Sequence, residues 1–263
     1  MIVERDSVTK SFSNAAETYD LWAKPQKEIA RRLVELLPVE QDYNNILDLG
    51  CGTGNVVEQL LTRYSSANIL GIDIAPGMVD HCTERWSNSI GIKFSKYDIS
   101  SFKPELNHDL IISSCVLQWI DDFYGVLKNL SFSLEDGDNL AIAVPIKGSF
   151  FELQESYKSL SGYNMPGLKY KAKEHYTDIA MKCGLDIRIC EVETVYGSFN
   201  GMNVLKYFKK IGATFQHNRD YSPLGLKDIH RLIEYYENTY GLHNGLLPVT
   251  HQVLYLTAYV CRR

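Results

Sequence analysis

The most constraining feature of the sequence is a loop with three glycines at 48–54, which reads Asp-Leu-Gly-Cys-Gly-Thr-Gly. A short apolar run at 46–49 leads into it, and residues 56–64 after it have the apolar spacing of a helix. Glycines let the backbone turn sharply, and they let a ligand approach main-chain N–H groups without an intervening Cβ atom. The start of the following helix favours a negatively charged group. The loop therefore predicts a ligand site at the end of a strand.

Strands and helices alternate through the first 145 residues. After the first strand at 46–49, apolar runs predict further strands over 68–73, 92–97, 110–114 and 139–145. Apolar spacing predicts helices over 56–64, 76–86 and 123–130, with Pro76 in a first helical turn. This alternation is typical of an α/β fold with a doubly wound parallel sheet and right-handed crossovers.

The pattern changes after Pro145. Helices are predicted over 150–160, 175–183, 204–211 and 226–240, and two late strands over 187–195 and 249–261. The sheet then has seven strands and is mostly parallel, with about fifty residues of mainly helical sequence between the last two strands. We expect one domain over 1–263. It has an N-terminal helical segment at 1–40, centred on 15–37, and a helical lid inserted at about 196–247 that covers one edge.

Net charge and cysteine spacing exclude several classes of protein. Lys and Arg total 27 against 32 for Asp and Glu, and the net charge of −5 argues against a general nucleic-acid-binding surface. The six cysteines form no C-x-x-C pair and no zinc-finger spacing, so we expect reduced thiols and no metal. The N-terminus has no apolar h-region, and no apolar run approaches the ~20 residues of a membrane span. We expect a cytoplasmic protein that binds neither nucleic acid nor membrane.

The glycine spacing and the acidic residues after it indicate the ligand. A dinucleotide-binding loop reads G-x-G-x-x-G, whereas the third glycine comes one residue early here, which disfavours a hydride-transfer enzyme. Asp73 closes the second strand, where its carboxylate can accept both hydroxyls of a ribose. Asp98 closes the third strand, where it can meet an adenine amino group. A nucleoside with a short charged tail and no phosphate fits best. We therefore predict S-adenosylmethionine (SAM), with Asp48 facing the ammonium group of the tail.

Six further motifs resemble those of a single family: FSNAA at 12–16, YD at 19–20 with Gln26, DIAPGM at 73–78, LQW at 117–119, KIGAT at 210–214 and LPVTH at 247–251. They run from one end of the chain to the other. The family is that of the malonyl-acyl-carrier-protein O-methyltransferases of biotin synthesis, which are class I SAM-dependent methyltransferases with a Rossmann-like fold. The sequence departs from the family pattern at His251, where Tyr is usual, and at Ala75, where Ser is usual.

The resemblance implies transfer of the SAM methyl group to the free carboxylate of a malonyl thioester, on acyl carrier protein or coenzyme A, with S-adenosylhomocysteine as the product. A carboxylate has a reference pKa of about 4, so it is ionised at neutral pH and needs no general base. We therefore expect catalysis by positioning and desolvation, with no proton-transfer residue. The expected donor-binding residues are Tyr19, Asp48, Gly50, Cys51, Gly52, Gly54, Asp73, Ile74, Met78, Asp98, Ile99 and Ser114.

The acceptor side is predicted from position in the chain. Gln118 and Trp119 come just after the fourth strand, so we expect them to line the acceptor pocket. An arginine fork is the natural partner of a carboxylate, and Arg219 in the insertion is our candidate for it. The carrier protein is expected to be acidic, so its docking surface should be basic. Two clusters after the fifth strand qualify: Lys169, Lys171 and Lys173, and Lys206, Lys209 and Lys210. We take the second cluster, in the insertion, as the candidate.

Three other functions remain open from the sequence. The first keeps the fold and changes the acceptor to a small free carboxylic acid or another O- or C-methylation substrate. The second is a related group of assembly factors for respiratory complex I, which act on a protein partner and are linked to arginine hydroxylation; the KIGAT motif fits the biotin branch better. The third is a protein that binds SAM without turnover.

Overall fold

The computed structural model describes residues 5–104, 107–165, 169–211 and 225–261. Within them, seven strands form one sheet: β1 (Asn45–Leu49), β2 (Asn68–Asp73), β3 (Ile92–Lys96), β4 (Leu110–Ser114), β5 (Asn139–Pro145), β6 (Leu185–Asn200) and β7 (Leu246–Val260). Their order is β3-β2-β1-β4-β5-β7-β6. The first five strands are parallel, and β7 is antiparallel to β5 and to β6. The predicted α/β fold with a mostly parallel seven-stranded sheet is confirmed.

The described helices are α1 (Arg5–Trp22), α2 (Lys24–Glu35), α3 (Asn55–Arg63), α4 (Pro76–Arg85), α5 (Phe123–Ser131), α6 (Phe151–Ser161), α7 (Lys173–Lys182), α8 (Asn203–Lys210) and α9 (Leu226–Tyr240). A short 3₁₀ helix spans Leu117–Trp119. Apolar residues of α2 and α3 pack on one face of the sheet, and those of α5 and α7 pack on the other.

The position of β5 inside the sheet explains why residues 140–145 form a continuous apolar run. All of its residues are buried, because helices cover the sheet on both sides. Leu140, Ile142 and Val144 pack into the core with α5 and α7, whereas Ala141 and Ala143 pack into the core with α2 and α3. Successive side chains of a strand point to opposite faces, so a strand between two cores needs apolar residues at every position.

The last two strands are longer than predicted, which corrects the bounds of the insertion. Strand β5 ends at Pro145, which pairs with Val253 of β7. The segment 246–252 of β7 continues past that point and pairs with 194–200 of β6. The insertion therefore occupies 201–245 and not 196–247. The extension was missed because side chains of β6 alternate between partly buried and exposed, so it has no apolar run.

The insertion has its own apolar core. Helices α6, α8 and α9 pack with the first residues of β7 around side chains such as Leu153, Phe208, Ile233 and Val249. Helix α8 also contacts α1. The extended hairpin thus carries the inserted helices beyond the carboxyl end of β5, next to the N-terminal helices.

The N-terminal segment forms two helices and not one continuous stretch. Helix α1 begins at Arg5, earlier than the predicted 15, and α2 starts anew after Ala23 with Pro25 in its first turn. Helix α1 crosses the start of α4 closely: a Cβ atom on Gly77 would lie 2.5 Å from the backbone oxygen of Ser13. This close approach places α1 over the carboxyl ends of the first strands.

Candidate active site

A cleft opens at the carboxyl ends of β1, β2, β3 and β4, and α1 and the start of α2 form its opposite wall. It spans the switch point between β1 and β4, where chain connections leave in opposite directions and doubly wound sheets bind their ligands. Eleven of the predicted donor and acceptor residues line it: Tyr19, Gly50, Cys51, Gly52, Asp73, Ile74, Met78, Asp98, Ile99, Ser114 and Trp119.

The glycine loop forms the floor of the cleft. Gly50, Gly52 and Gly54 all have positive φ angles of +53° to +82°, which other residues rarely adopt. A Cβ atom on Gly52 would meet no protein atom within 4 Å, so it would project into open space. Such a backbone can be approached closely by a ligand, and this fits the donor site that the sequence predicts.

Asp73 is fixed at the end of β2 by the backbone. Its carboxylate accepts hydrogen bonds from the N–H of Gly52 at 3.0 Å and from the N–H of Ala75 at 2.8 Å. Burial raises the pKa of this carboxyl, and these backbone hydrogen bonds oppose the rise. Each carboxylate oxygen has a further lone pair, so Asp73 can still accept from the hydroxyls of a ribose.

Asp48 lies behind the loop and is outside the lining of the cleft. It is fully buried, and neither carboxylate oxygen has a hydrogen-bond partner among the described residues. Burial, and then the charge of Asp73, raise the pKa of Asp48 to about 8. An unpartnered buried carboxyl is costly, which fits a site that receives a cation. Gly54 is also outside the lining, because it faces the ring of Trp86.

Aromatic residues form the wall opposite the glycine loop. The ring of Phe12 lies 6.3 Å from that of Tyr19 and 5.9 Å, edge to face, from that of Trp119. Burial raises the pKa of Tyr19, so its hydroxyl keeps its proton. Trp119 belongs to the lining of the cleft, whereas Gln118 lies outside it. The Gln118 amide instead donates to the backbone oxygen of Cys115 at 2.7 Å.

Several lining residues were not assigned a role from the sequence. Gln26 belongs to an N-terminal motif of the family, so its place in that motif was an available signal. Cys115 has a positive φ of 59°, which is unusual for a residue other than glycine. No sequence pattern predicts that backbone conformation. Thr9 and Phe12 were missed as site residues because nothing local tells where α1 crosses the sheet.

The predicted basic residues lie on α8, away from the cleft lining. Lys206 and Lys209 are exposed, whereas the Lys210 ammonium donates to the hydroxyl of Thr18 at 3.1 Å. Lys210 therefore ties α8 to α1. Arg219 and residues 212–214 of the KIGAT motif fall outside the described residues.

His251, the departure from the family pattern, belongs to a buried polar chain. Its Nε2 atom lies 2.8 Å from the hydroxyl of Tyr207, and that hydroxyl accepts from the Gln26 Nε2 atom at 3.0 Å. Burial lowers the pKa of His251 to about 3, so its ring is neutral at physiological pH. These hydrogen bonds between side chains join β7, α8 and α2.

The described ranges hold neither a candidate membrane helix nor a candidate metal cluster. None of the helices in them is long and apolar enough to cross a bilayer. No cluster of three or more His, Cys, Asp or Glu side chains in those ranges could hold a metal ion.

Comparisons with known proteins define the class. The family model described as a methyltransferase domain matches residues 46–137. Among solved structures, the YcgJ protein of Bacillus subtilis has a TM-score of 0.61 at 9% identity, covering 90% of this chain and 99% of that one. That likeness concerns the fold alone. With the glycine-loop cleft, the matched domain makes this protein a class I SAM-dependent methyltransferase, and SAM is its methyl donor.

Two curated relatives are similar over almost the whole chain. The first is malonyl-[acyl-carrier protein] O-methyltransferase 1 of Ilyobacter polytropus, 30% identical over 97% of this chain and 94% of the relative. The second is malonyl-[acyl-carrier protein] O-methyltransferase of Acetivibrio thermocellus, 29% identical over 98% of this chain and 94% of the relative. The chain belongs to the malonyl-[acyl-carrier protein] O-methyltransferase family, which confirms the resemblance seen in the motifs.

Proposed function

We propose that the protein methylates the free carboxylate of a malonyl thioester on acyl carrier protein, giving the methyl ester that starts pimeloyl and biotin synthesis. The observation that carries this proposal is the end-to-end similarity to relatives of that name. It includes the N-terminal helices and the insertion, which lie outside the matched methyltransferase domain. A small free acid or a protein side chain as the acceptor is not favoured, because relatives that are similar over almost the whole chain carry the malonyl-carrier name.

The residues of the cleft suit this reaction. When bound, SAM supplies a methyl group already activated on a sulfonium. The acceptor carboxylate attacks the methyl carbon, an O–C bond forms, and the C–S bond breaks with its electron pair left on sulfur. The protein then has to orient the acceptor and exclude water, and no side chain needs to take a proton.

We assign the donor to the floor of the cleft and the acceptor to its helical wall. Asp73 would accept from the ribose hydroxyls, and Asp98 would face the adenine. The buried carboxyl of Asp48 would balance the charge of the ammonium group. Trp119 and Tyr19 would cover the reacting atoms from the opposite wall, where their rings keep water out.

The carrier protein would dock on α8. Lys206 and Lys209 are exposed there, and a basic surface complements the acidic surface expected of a carrier protein. Helix α8 contacts α1, which lines the cleft, so a carrier bound to α8 would be near the acceptor end. We place the reaction in the cytoplasm, where carrier protein and SAM would both be present.

The test is the intact mass of malonyl-acyl carrier protein after incubation with the protein and SAM. We expect a gain of one methyl group on the malonyl form and none on an acetyl-carrier control. A reaction with free malonate and none with the carrier thioester would move the assignment to small acids. Absence of any gain, with S-adenosylhomocysteine binding shown by calorimetry, would contradict the proposed function.

A further inference from the structure

The acceptor of the proposed reaction carries a negative charge, yet the described residues that line the cleft offer it no cation. Among the described residues that line the cleft there is no Lys, Arg or His. The acidic residues of the lining, Asp73 and Asp98, lie at the ends of β2 and β3. The acceptor carboxylate therefore has to be held, within this part of the chain, by neutral hydrogen-bond donors.

A neutral site suits the chemistry. Methyl transfer from a sulfonium to a carboxylate removes one positive and one negative charge, so both charges are already smaller in the transition state than in the ground state. A fixed cation beside the carboxylate would stabilise the ground state more than the transition state, which would slow the chemical step. A neutral N–H or O–H group loses less interaction energy than a cation does when the negative charge on the carboxylate oxygen falls in the transition state.

Two described residues that line the cleft have an amide that the protein leaves partly unused: Asn55, which follows the glycine loop, and Gln26, which lies on the opposite wall. Gln26 is the one outside the donor loop. It is 8% exposed, and its Oε1 atom has no hydrogen-bond partner among the described residues. Its Nε2 atom carries two hydrogens, and the bond to the Tyr207 hydroxyl uses one of them. A buried amide with a free N–H and an unpartnered oxygen at a cleft is expected to face a ligand.

The orientation of that amide is set by the polar chain behind it. Gln26 Nε2 can only donate, so the Tyr207 proton finds its acceptor on the Nε2 atom of neutral His251, 2.8 Å away. The Tyr207 oxygen is then free to accept from Gln26, which keeps the amide nitrogen turned towards α8. The ring of Tyr207 is itself held by stacking on Phe199, with ring centroids 4.3 Å apart.

We infer that Gln26 binds the acceptor carboxylate through the free hydrogen of its Nε2 atom, and that Tyr207 and His251 are positioning residues that orient it. This inference rests on the proposed function, because it names the residue of the same site that receives the acceptor. It replaces the arginine fork expected from the sequence with a neutral amide. It also gives His251 a role: its ring nitrogen accepts the proton of Tyr207.

The experiment compares steady-state kinetics on malonyl-acyl carrier protein with S-adenosylhomocysteine affinity. Gln26→Met keeps the length of the side chain and removes the amide. It should raise KM for the carrier substrate by about 30- to 100-fold, the size expected for one hydrogen bond to a charged group, and should change S-adenosylhomocysteine affinity less than threefold. Gln154→Met is the matched control, since that amide bonds to Ser149 outside the cleft and its loss should leave both values unchanged.

The positioning pair is tested by conservative rescue. Tyr207→Phe and His251→Leu should each raise the same KM about tenfold, because they free the Gln26 amide to turn. His251→Gln places an amide oxygen where Nε2 stands, so it should recover most of the loss. A His251→Gln variant as impaired as His251→Leu would overturn the positioning role.

Two further results separate this inference from the proposed function. If Arg219→Gln raises KM more than Gln26→Met does, the carboxylate is held by a cation and the inference is wrong. If the wild type does not methylate the malonyl carrier, the proposed function is wrong. Binding of an acceptor to Gln26 can then still be tested separately, by calorimetry. Malonyl-CoA would then be titrated into the S-adenosylhomocysteine complexes of the wild type and of Gln26→Met. Weaker binding by the variant supports the inference, and equal or absent binding contradicts it.

Discussion

The two ends of the cleft are built in different ways. At the donor end, the glycine loop and Asp73 lie within 25 residues of one another and are joined by backbone hydrogen bonds. At the end that we assign to the acceptor, Gln26 of the cleft wall is joined by side-chain hydrogen bonds to Tyr207 and His251, and the three come from distant segments. A ligand common to many enzymes can be held by a backbone turn, whereas recognition of a particular acceptor depends on side chains that tertiary packing brings together.

The largest effect should come from a methyl group at the donor end. In Gly52→Ala the new Cβ atom would occupy the open space of the cleft, so we expect S-adenosylhomocysteine affinity to fall about 100-fold, or roughly 3 kcal/mol. Gly137→Ala is the matched control: its φ of +91° brings similar backbone strain, and its Cβ also meets nothing within 4 Å, but it is outside the cleft lining. Calorimetry and urea unfolding of both variants should show a similar stability loss and a loss of affinity in Gly52→Ala only. Equal affinities would mean that no ligand approaches Gly52.

Asp48→Asn tests whether the buried carboxyl contributes to binding of the methyl donor. We expect donor affinity to fall about tenfold or more, because the ammonium group loses its counter-charge. Calorimetry at pH 7 in buffers of different ionisation enthalpy should detect proton release when the wild type binds SAM, and none from the variant. Wild-type binding without proton release would contradict the role.

The difference in stability between Asp48→Asn and the wild type should depend on pH. The folded-state pKa of Asp48, about 8, is above its unfolded value of about 3.9, so the ligand-free wild type loses stability as pH rises between these values. Asp48→Asn does not titrate, so its free energy of unfolding relative to the wild type should rise from pH 5 to pH 8. Urea unfolding at both pH values measures this, with Asp73 intact in both proteins. A constant difference would show that Asp48 does not titrate in this window.

Gly77→Ala tests whether α1 belongs to the donor end. Its Cβ would press on the backbone of Ser13, which cannot rotate away as a side chain can, so α1 must shift. We expect a loss of about 1–3 kcal/mol of stability and an affinity for S-adenosylhomocysteine about tenfold weaker. Thermal unfolding with and without the ligand measures both. Normal affinity in a destabilised variant would show that α1 does not contribute to donor binding.

The smallest effect should come from the surface of α8. Reversing the charge of exposed Lys206 and Lys209 to Glu should raise KM for the carrier substrate about three- to tenfold at low salt, and less at high salt. Lys210 is left in place because it contacts Thr18. The matched control reverses Lys128 and Lys182, which are exposed on α5 and α7. Equal changes in KM for the two pairs of substitutions would contradict the proposal that the carrier protein docks on α8.

The same contrast explains what the sequence could predict. All seven strands and the donor loop were found, because apolar runs and glycine spacing are local signals. Residues 196–200 of β6 were missed because half-exposed strands lack an apolar run, and the break at Ala23 was missed although Pro25 signals a new helix. Gln118 was placed in the pocket by its position after β4, but its amide caps the backbone of Cys115. The Gln26–Tyr207–His251 chain could not be predicted, since no local pattern relates residues 181 and 44 positions apart.

The extended hairpin has a consequence for how the acceptor site can change in evolution. Because β7 continues from the sheet into the insertion, one strand carries both His251 and the residues that pair with β5. Exchanging residues 201–245 for another insertion would replace Tyr207 and leave His251 behind. If Gln26 binds the acceptor as we infer, new acceptor specificity would require paired substitutions in the strand and the inserted helix, and the insertion would not be inherited as an independent module.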